Sequence, residues 1–529
     1  MSDKWVLVID DLEGMRSQLR MSLTNSGFAK LHLASSIKDA LDRMAANRYD
    51  VILCDYSLGD STDGQQFLEY LRSNDLIAHN TIFIMITAEQ AYEKVVAASE
   101  CAPDDYLLKP FTAAQFDARL EKLLGRQEYF SVIDKAADEK NWTRVIAECD
   151  KKLASKDKYF IELCKIKASA LMSAGRHQDA ANLYREVLAL RPIGWAKLGL
   201  ARALAMLDKK EEAQSLVREI LAESPQFMAA YDLLGKLLSE SGEKEAALDI
   251  LQKAREVSPG TMSRIRELSS LAVSAGKPEV AETVMRQALQ KHKYSPVRQA
   301  NDYAVLSKAL VNQGKAAEAL SVVADAKKTF NDEHSSVMLA ATESVAHRAA
   351  GNHKLAEAAL AQAMSVGDLS KLSAQSVVAL ADACFAMGKE DEATSLLRHA
   401  IQNNQEDESI RSKVHETLTA AGKDATEATA MIEESSREVI LLNNDGVRKA
   451  EAGQLDEAIA SLCEAADRLP NNLQIVSNAA LVIALDLSRN GNNPEKFSKC
   501  LRYREALIKK APNHPKLPQI DGLLKQLKP

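Results

Sequence analysis

The sequence predicts two architectures in series. An α/β domain with a five-stranded parallel sheet occupies residues 1–126, an all-α superhelix of about ten helix pairs follows over 127–515, and residues 516–529 form a C-terminal tail. Three observations predict this. Short apolar runs in the first 126 residues each stop at a polar cluster, as strands buried on both faces do. Stretches of helical pattern separate those runs, which is the βα alternation of a parallel sheet. From residue 127 no strand pattern recurs, and turn residues repeat at a nearly fixed spacing instead.

The first domain reads in order as follows. Trp5–Ile9 is a strand ending at Asp10-Asp11, and residues 13–26 form a helix stopped by Gly27. Leu31–Ala34 is a short strand, with Ile37–Asn47 the second helix. Val51–Cys54 is a buried strand that ends in Asp55 and the loop Tyr56–Gly64, which leads into a helix over Gly64–Ser73. Thr81–Ile86 is a strand ending at Thr87-Ala88, and Gln90–Ser99 is the fourth helix. Tyr106–Leu108 is the last strand, ending at Lys109-Pro110, and Ala113–Leu124 is the fifth helix. In open α/β sheets, ligand sites lie beyond the carboxyl ends of the strands. Three carboxylates, one hydroxyl and one lysine therefore converge from four strand ends.

This ordered set resembles the receiver domain of two-component response regulators, a flavodoxin-like fold. On that resemblance Asp55 matches the phosphoacceptor. Asp10 and Asp11 match the acidic pair that holds Mg²⁺, Asp11 directly and Asp10 mainly through water, with the Ser57 backbone carbonyl completing the metal site. Thr87 matches the switch hydroxyl, Lys109 the phosphate-pairing lysine and Tyr106 the rotating aromatic, with a cis bond between Lys109 and Pro110. Gly59 stands where many members have proline, and the Asp55–Gly64 loop is one residue longer than the commonest form. The residue types suit the chemistry. A carboxylate attacks an activated phosphoryl group, Mg²⁺ takes oxygen ligands, and a lysine adds a point charge on the opposite side.

The turn residues Gly175, Asp208, Gly242 and Gly276 lie 33 or 34 apart, and Gly276, Gly314, Gly351 and Gly388 lie 37 or 38 apart. Alanine follows the turn by five residues and proline often by seventeen, as in Gly242, Ala247 and Pro259. A period near 34 built of two short helices resembles the tetratricopeptide repeat. The unit 228–261 carries Tyr231, Leu234, Gly235, Leu238, Ala247, Leu251, Ala254 and Pro259 at the family positions. The first unit has Asn141 at its turn, the unit near Gly422 is weak, and residues 471–512 read as a cap.

Other patterns carry less. Gly-Lys pairs at repeat turns, such as Gly276-Lys277, lack the upstream glycine of a phosphate loop. The ten histidines show no metal-ligand spacing. Asn443, Asn444 and Asn478 lie where they face solvent or clamp a bound backbone. The net charge of −7 and pI near 5.9 disfavour nucleic acid as a partner. The seven cysteines are scattered and read as small buried residues of a reducing compartment. The first strand begins too early to leave room for a signal peptide, and no apolar run is long enough to span a membrane.

The resemblances together imply a cytoplasmic, non-enzymatic bacterial response regulator. A sensor histidine kinase would phosphorylate it on Asp55, and its output would be protein binding in the repeat groove. Two alternatives remain: a phosphate sink or relay whose repeats only dock the kinase, and a constitutive scaffold.

Overall fold

The computed structural model describes residues 3–58, 63–74, 76–88, 103–155, 158–293, 295, 297–365, 368–405, 407–491, 493–511, 514 and 516–525. The chain forms two compact units, residues 1–275 with 284–298 and residues 276–283 with 299–529.

The first unit opens with a parallel sheet of β1 (Trp5–Ile9), β2 (Lys30–Ala34), β3 (Val51–Asp55), β4 (Ile82–Ala88) and β5 (Asp105–Lys109), in the order β2-β1-β3-β4-β5. Alternate side chains go to opposite faces, so one strand serves two cores. Val6, Val8, Val51, Leu53, Ile84 and Ile86 pack with Leu19 and Leu23 of helix α1 (Glu13–Asn25) and with Phe116 and Leu120 beyond β5. Leu7, Ile9, Ile52, Cys54, Phe83 and Met85 pack with Ile37 and Ala40 of α2 (Ile37–Ala46) and with Phe67, Leu68 and Leu71 of α3 (Gly64–Ser73). Each Val, Leu, Ile, Phe or Met side chain so buried contributes about 1.5–3 kcal/mol. The expected fourth helix, 90–99, lies outside the described residues.

The expected break after Leu124 does not occur. Helix α4 runs from Ala113 to Asp138 without interruption, so Gly125-Arg126-Gln127 is helix rather than a connection. Nothing there stops a helix: proline is absent, and one interior glycine costs only about 1 kcal/mol. Phe116, Leu120, Leu123, Gln127, Phe130 and Ile133 keep one face buried throughout. Gln127 fixes the receiver side: its Nε2 donates to the Asn80 carbonyl at 2.7 Å, and Lys4 Nζ donates to its Oε1 at 2.5 Å. Arg126 ties the two halves, its Nη1 lying 3.4 Å from Asp104 Oδ1 and its Nε donating to Glu162 Oε1 at 2.7 Å. Its second half pairs with Trp142–Leu153 as the first repeat.

Helix pairs follow, and their turns explain the period. Gly175, Gly242, Gly276, Gly314, Gly351, Gly388, Gly422 and Gly453 all have positive φ, which closes a helix without strain only for glycine. Two turns lack glycine. Asp208 adopts φ 59°, and at the first turn the left-handed residue is Lys140 (φ 53°), not Asn141. Asn141 instead caps the next helix, its side chain accepting from Arg144 N–H at 3.0 Å. Asp208 is exposed. Relief of left-handed strain, worth roughly 1–2 kcal/mol, should outweigh the backbone entropy that glycine adds to the unfolded state. Asp208→Gly is therefore expected to raise stability by about 0.5–1 kcal/mol, read from the shift of a denaturant midpoint.

The second unit departs from expectation at two places. Near Gly422 the second helix of one pair and the first helix of the next are fused into Ala425–Glu451, because no turn residue separates them. Beyond the expected cap, part of the tail is a helix, Leu517–Lys525, whose Leu517 and Ile520 enter the same core as Ile483 and Leu487. Asn443 and Asn478 do not face solvent. Both are buried, and Asn478 Nδ2 donates to Asn443 Oδ1 at 2.6 Å, while Lys516 donates to Asn478 Oδ1. Asn444 is exposed. No helix among the described residues is long and apolar enough to cross a membrane.

Candidate functional site

The strand order reverses direction between β1 and β3, which opens a crevice at their carboxyl ends. Register sets what lines it. Ile9 lies opposite Cys54, so Asp10 and Asp55 follow side by side; Asp55 lies opposite Ile86, and Thr87 opposite Leu108. Carboxylate oxygens of Asp10, Asp11 and Asp55 all lie within 4.8 Å of one another. Asp10 is fully buried, Asp55 is 7% exposed and Asp11 is open to solvent. Lys109 reaches across from β5, its Nζ standing 3.2 Å from Asp10 Oδ2 and 3.2 Å from Asp55 Oδ1. The Lys109–Pro110 bond is cis.

Local hydrogen bonds fix these groups. Leu12 N–H donates to Asp10 Oδ1 at 2.9 Å. Arg16 Nη1 donates to the carbonyls of Asp10 and Asp11 at 2.7 and 2.9 Å, holding the turn after β1. Burial raises the Asp55 carboxyl above its usual range; Lys109 opposes that rise and Asp10 adds to it. Two buried carboxylates, a third at the surface and one lysine leave an excess of negative charge. Hard divalent cations take such an oxygen donor set, so these residues fit one.

The other expected residues are placed as follows. Thr87 is buried near the end of β4, and Tyr106 lies on β5, partly buried in the core that contains Tyr56. Ser57 is exposed and forms an isolated bridge to Asp63. Residues 59–62, which include the unusual Gly59, lie outside the described residues.

The sequence reading missed two features of this loop. Gly64 begins α3 directly behind the end of β3. A β-carbon there would stand 2.5 Å from the Asp55 carbonyl oxygen and 2.7 Å from Met85 Sδ, so only glycine fits. Asp63 and Gln66 form a capping box at the start of α3: Asp63 Oδ1 accepts from Gln66 N–H at 2.8 Å, and Gln66 Oε1 from Asp63 N–H at 3.3 Å. The Asp-x-x-Gln spacing was the signal.

Comparison with known proteins agrees with both halves of this architecture. Residues 6–121 match the response regulator receiver domain, and residues 171–237 match the tetratricopeptide repeat. Over 121 residues the chain is 33% identical to response regulator MprA of Mycolicibacterium vanbaalenii, covering 23% of this chain and 50% of that protein. The chain thus matches about half the length of that regulator. It is 28% identical to chemotaxis protein CheY-3 of Vibrio cholerae, covering 23% of this chain and 92% of that one. Among solved structures, a tetratricopeptide repeat protein from Parabacteroides merdae covers 49% of this chain and 98% of its own, at 14% identity and a TM-score of 0.37. The chain carries an N-terminal receiver domain and, after it, tetratricopeptide repeats.

Proposed function

We propose that this receiver–repeat chain is a response regulator of a two-component phosphorelay. A sensor histidine kinase phosphorylates Asp55, and the repeats deliver the output by binding another protein. The single observation that supports this best is the convergence of Asp10, Asp11, Asp55 and Lys109 at the carboxyl ends of β1, β3 and β5.

Each residue has a task on this reading. Asp11 and Asp55, with the Ser57 carbonyl, would hold Mg²⁺, Asp10 mainly through water, and the ion would supply positive charge against that of the transferring phosphoryl group. An Asp55 oxygen forms the new bond to phosphorus while the bond from phosphorus to the kinase histidine nitrogen breaks. The imidazole leaves and takes up a proton. Lys109 Nζ, already 3.2 Å from an Asp55 oxygen, pairs with the added phosphoryl oxygens. Thr87 and Tyr106 are the switch residues that respond to the new group.

Output by binding is testable apart from the chemistry. Immobilised whole chain, with and without a beryllofluoride mimic of the acyl phosphate, is exposed to extract of the source cells. The expected result is retention of a protein other than a kinase in one state and its loss in the other. Identical retention in both states would remove the switched-binding reading.

A further inference from the structure

The receiver touches the repeats at a second place, far from α4. Gln66 of α3 lies 194 residues before Gly260, yet its Nε2 donates to the Gly260 carbonyl at 3.3 Å. Gly260 belongs to the turn between the helices Lys244–Val257 and Met262–Ser274. A β-carbon on Gly260 would stand 2.8 Å from Gln66 Nε2 and 3.2 Å from Lys291 Nζ, so the three groups are in close packing.

The surroundings are built for this contact. Arg264, one turn into the following helix, is only 2% exposed. Its Nε and Nη2 donate to both oxygens of Asp232 at 2.6 and 2.7 Å, and its Nη1 reaches the Ser258 carbonyl at 3.4 Å. Glu69, one turn past Gln66 on α3, faces the charges of Arg264 and Asp232, and Asp63 faces that of Lys291. The start of α3, capped by Asp63, thus meets a face carrying Lys291 and the Arg264–Asp232 pair.

The same amide belongs to the acceptor loop. Gln66 Oε1 accepts from Asp63 N–H while its Nε2 donates to Gly260, so one side chain closes the α3 cap and holds the repeat turn. Asp63 bridges Ser57, and Gly64 N–H donates to the Tyr56 carbonyl at 2.8 Å. A β-carbon on Gly64 would overlap the Asp55 carbonyl, so the start of α3 packs against the end of β3 at glycine distance. Close-packed elements of this kind transmit small displacements. The tie itself is one neutral hydrogen bond at the long end of the ordinary range, which a small shift breaks.

We propose that α3 is a docked internal ligand of the repeats, occupying the Gly260–Arg264–Lys291 face, and that phosphoryl transfer to Asp55 releases it by disturbing the Asp63–Gln66 cap. The route runs from the acceptor loop through α3. It is distinct from the fifth receiver helix, which is covalently continuous with the first repeat. The inference rests on the phosphoacceptor reading of Asp55.

The test is hydrogen exchange on the whole chain with and without beryllofluoride and Mg²⁺. Peptides covering 258–268 should exchange roughly fivefold faster or more with the mimic, the scale on which losing one such bond shifts an opening equilibrium. Asp55→Asn should abolish that change. Gly260→Leu, which keeps the Asp55 carboxylate and wedges the Gln66–Gly260 contact apart, should give fast exchange in 262–268 without the mimic. If β4 responds to the mimic while 258–268 stays unchanged, the docking inference fails and the phosphoacceptor reading stands. If neither responds, both fail. Slow exchange in Gly260→Leu would also overturn the docking.

Discussion

Asp55→Asn is expected to lose essentially all phosphoryl uptake from a small acyl phosphate donor, a drop of a hundredfold or more on the scale of removing a nucleophile. The label on the wild-type chain should be stable in acid and lost in base, and chelation of divalent cations should prevent its appearance. The amide retains the shape of the carboxylate but has no anionic oxygen to attack phosphorus. Asp11→Ala removes the exposed carboxylate, so uptake should need roughly tenfold or more Mg²⁺ for half-maximal rate, the usual cost of damaging a metal site. Acidity provides an independent check. Burial raises the Asp55 carboxyl of the metal-free chain, so it holds its proton to higher pH than an ordinary aspartate, and at limiting Mg²⁺ uptake should fall on the acid side sooner than for an exposed carboxylate. Lys109→Ala removes the charge that opposes this rise, so its acid limb should move to still higher pH. Equal labelling of wild type and Asp55→Asn would exclude Asp55 as the acceptor.

The cluster of Asp10, Asp11, Asp55 and Lys109 was legible because its residues sit at strand ends, where pattern alone places them. An apolar run stops, and the next residue must face the crevice. Asp10, Asp55, Thr87 and Lys109 were therefore found without any knowledge of register. Gly64 and Gln66 were not, since their roles depend on which atoms approach from elsewhere, the Asp55 carbonyl and the Gly260 carbonyl. The repeat turns were equally legible, because left-handed backbone demands glycine. Fused helices were not. At 125–127 and across Ala425–Glu451 the sequence lacks both a stop signal and the need for one, and ending the fifth helix at Leu124 set a boundary that the backbone does not have. The buried Asn443–Asn478 pair shows the same limit: a polar residue on a helix reads as solvated unless its partner, 35 positions away, is known to face it.

Gly446→Leu is expected to destabilise the second unit by at least about 1–3 kcal/mol, the range for overpacking a filled core. Gly446 lies in the helix Ala425–Glu451, and a β-carbon on it would stand 2.4 Å from Leu462 Cγ and 2.6 Å from Leu462 Cδ2. Leu462 is fully buried in the core shared by Ala458, Ile475 and Ala479, so it cannot swing into solvent. The same approach recurs at Gly235, where the nearest atoms are Leu251 Cδ2 at 2.8 Å and Cγ at 2.9 Å. The looser fit there makes Gly235→Leu the milder change. The ordering follows from distance alone, and chemical denaturation of the whole chain measures it. Repeats interact mainly with their neighbours, so the loss should be local. Hydrogen exchange should rise across 425–510 while phosphoryl uptake at Asp55 is kept. Leu462→Ala added to Gly446→Leu should recover part of the lost stability by returning volume to the pair. Stability of Gly446→Leu within about 0.5 kcal/mol of wild type, the spread of ordinary surface changes, would mean that these two helices do not pack at glycine distance.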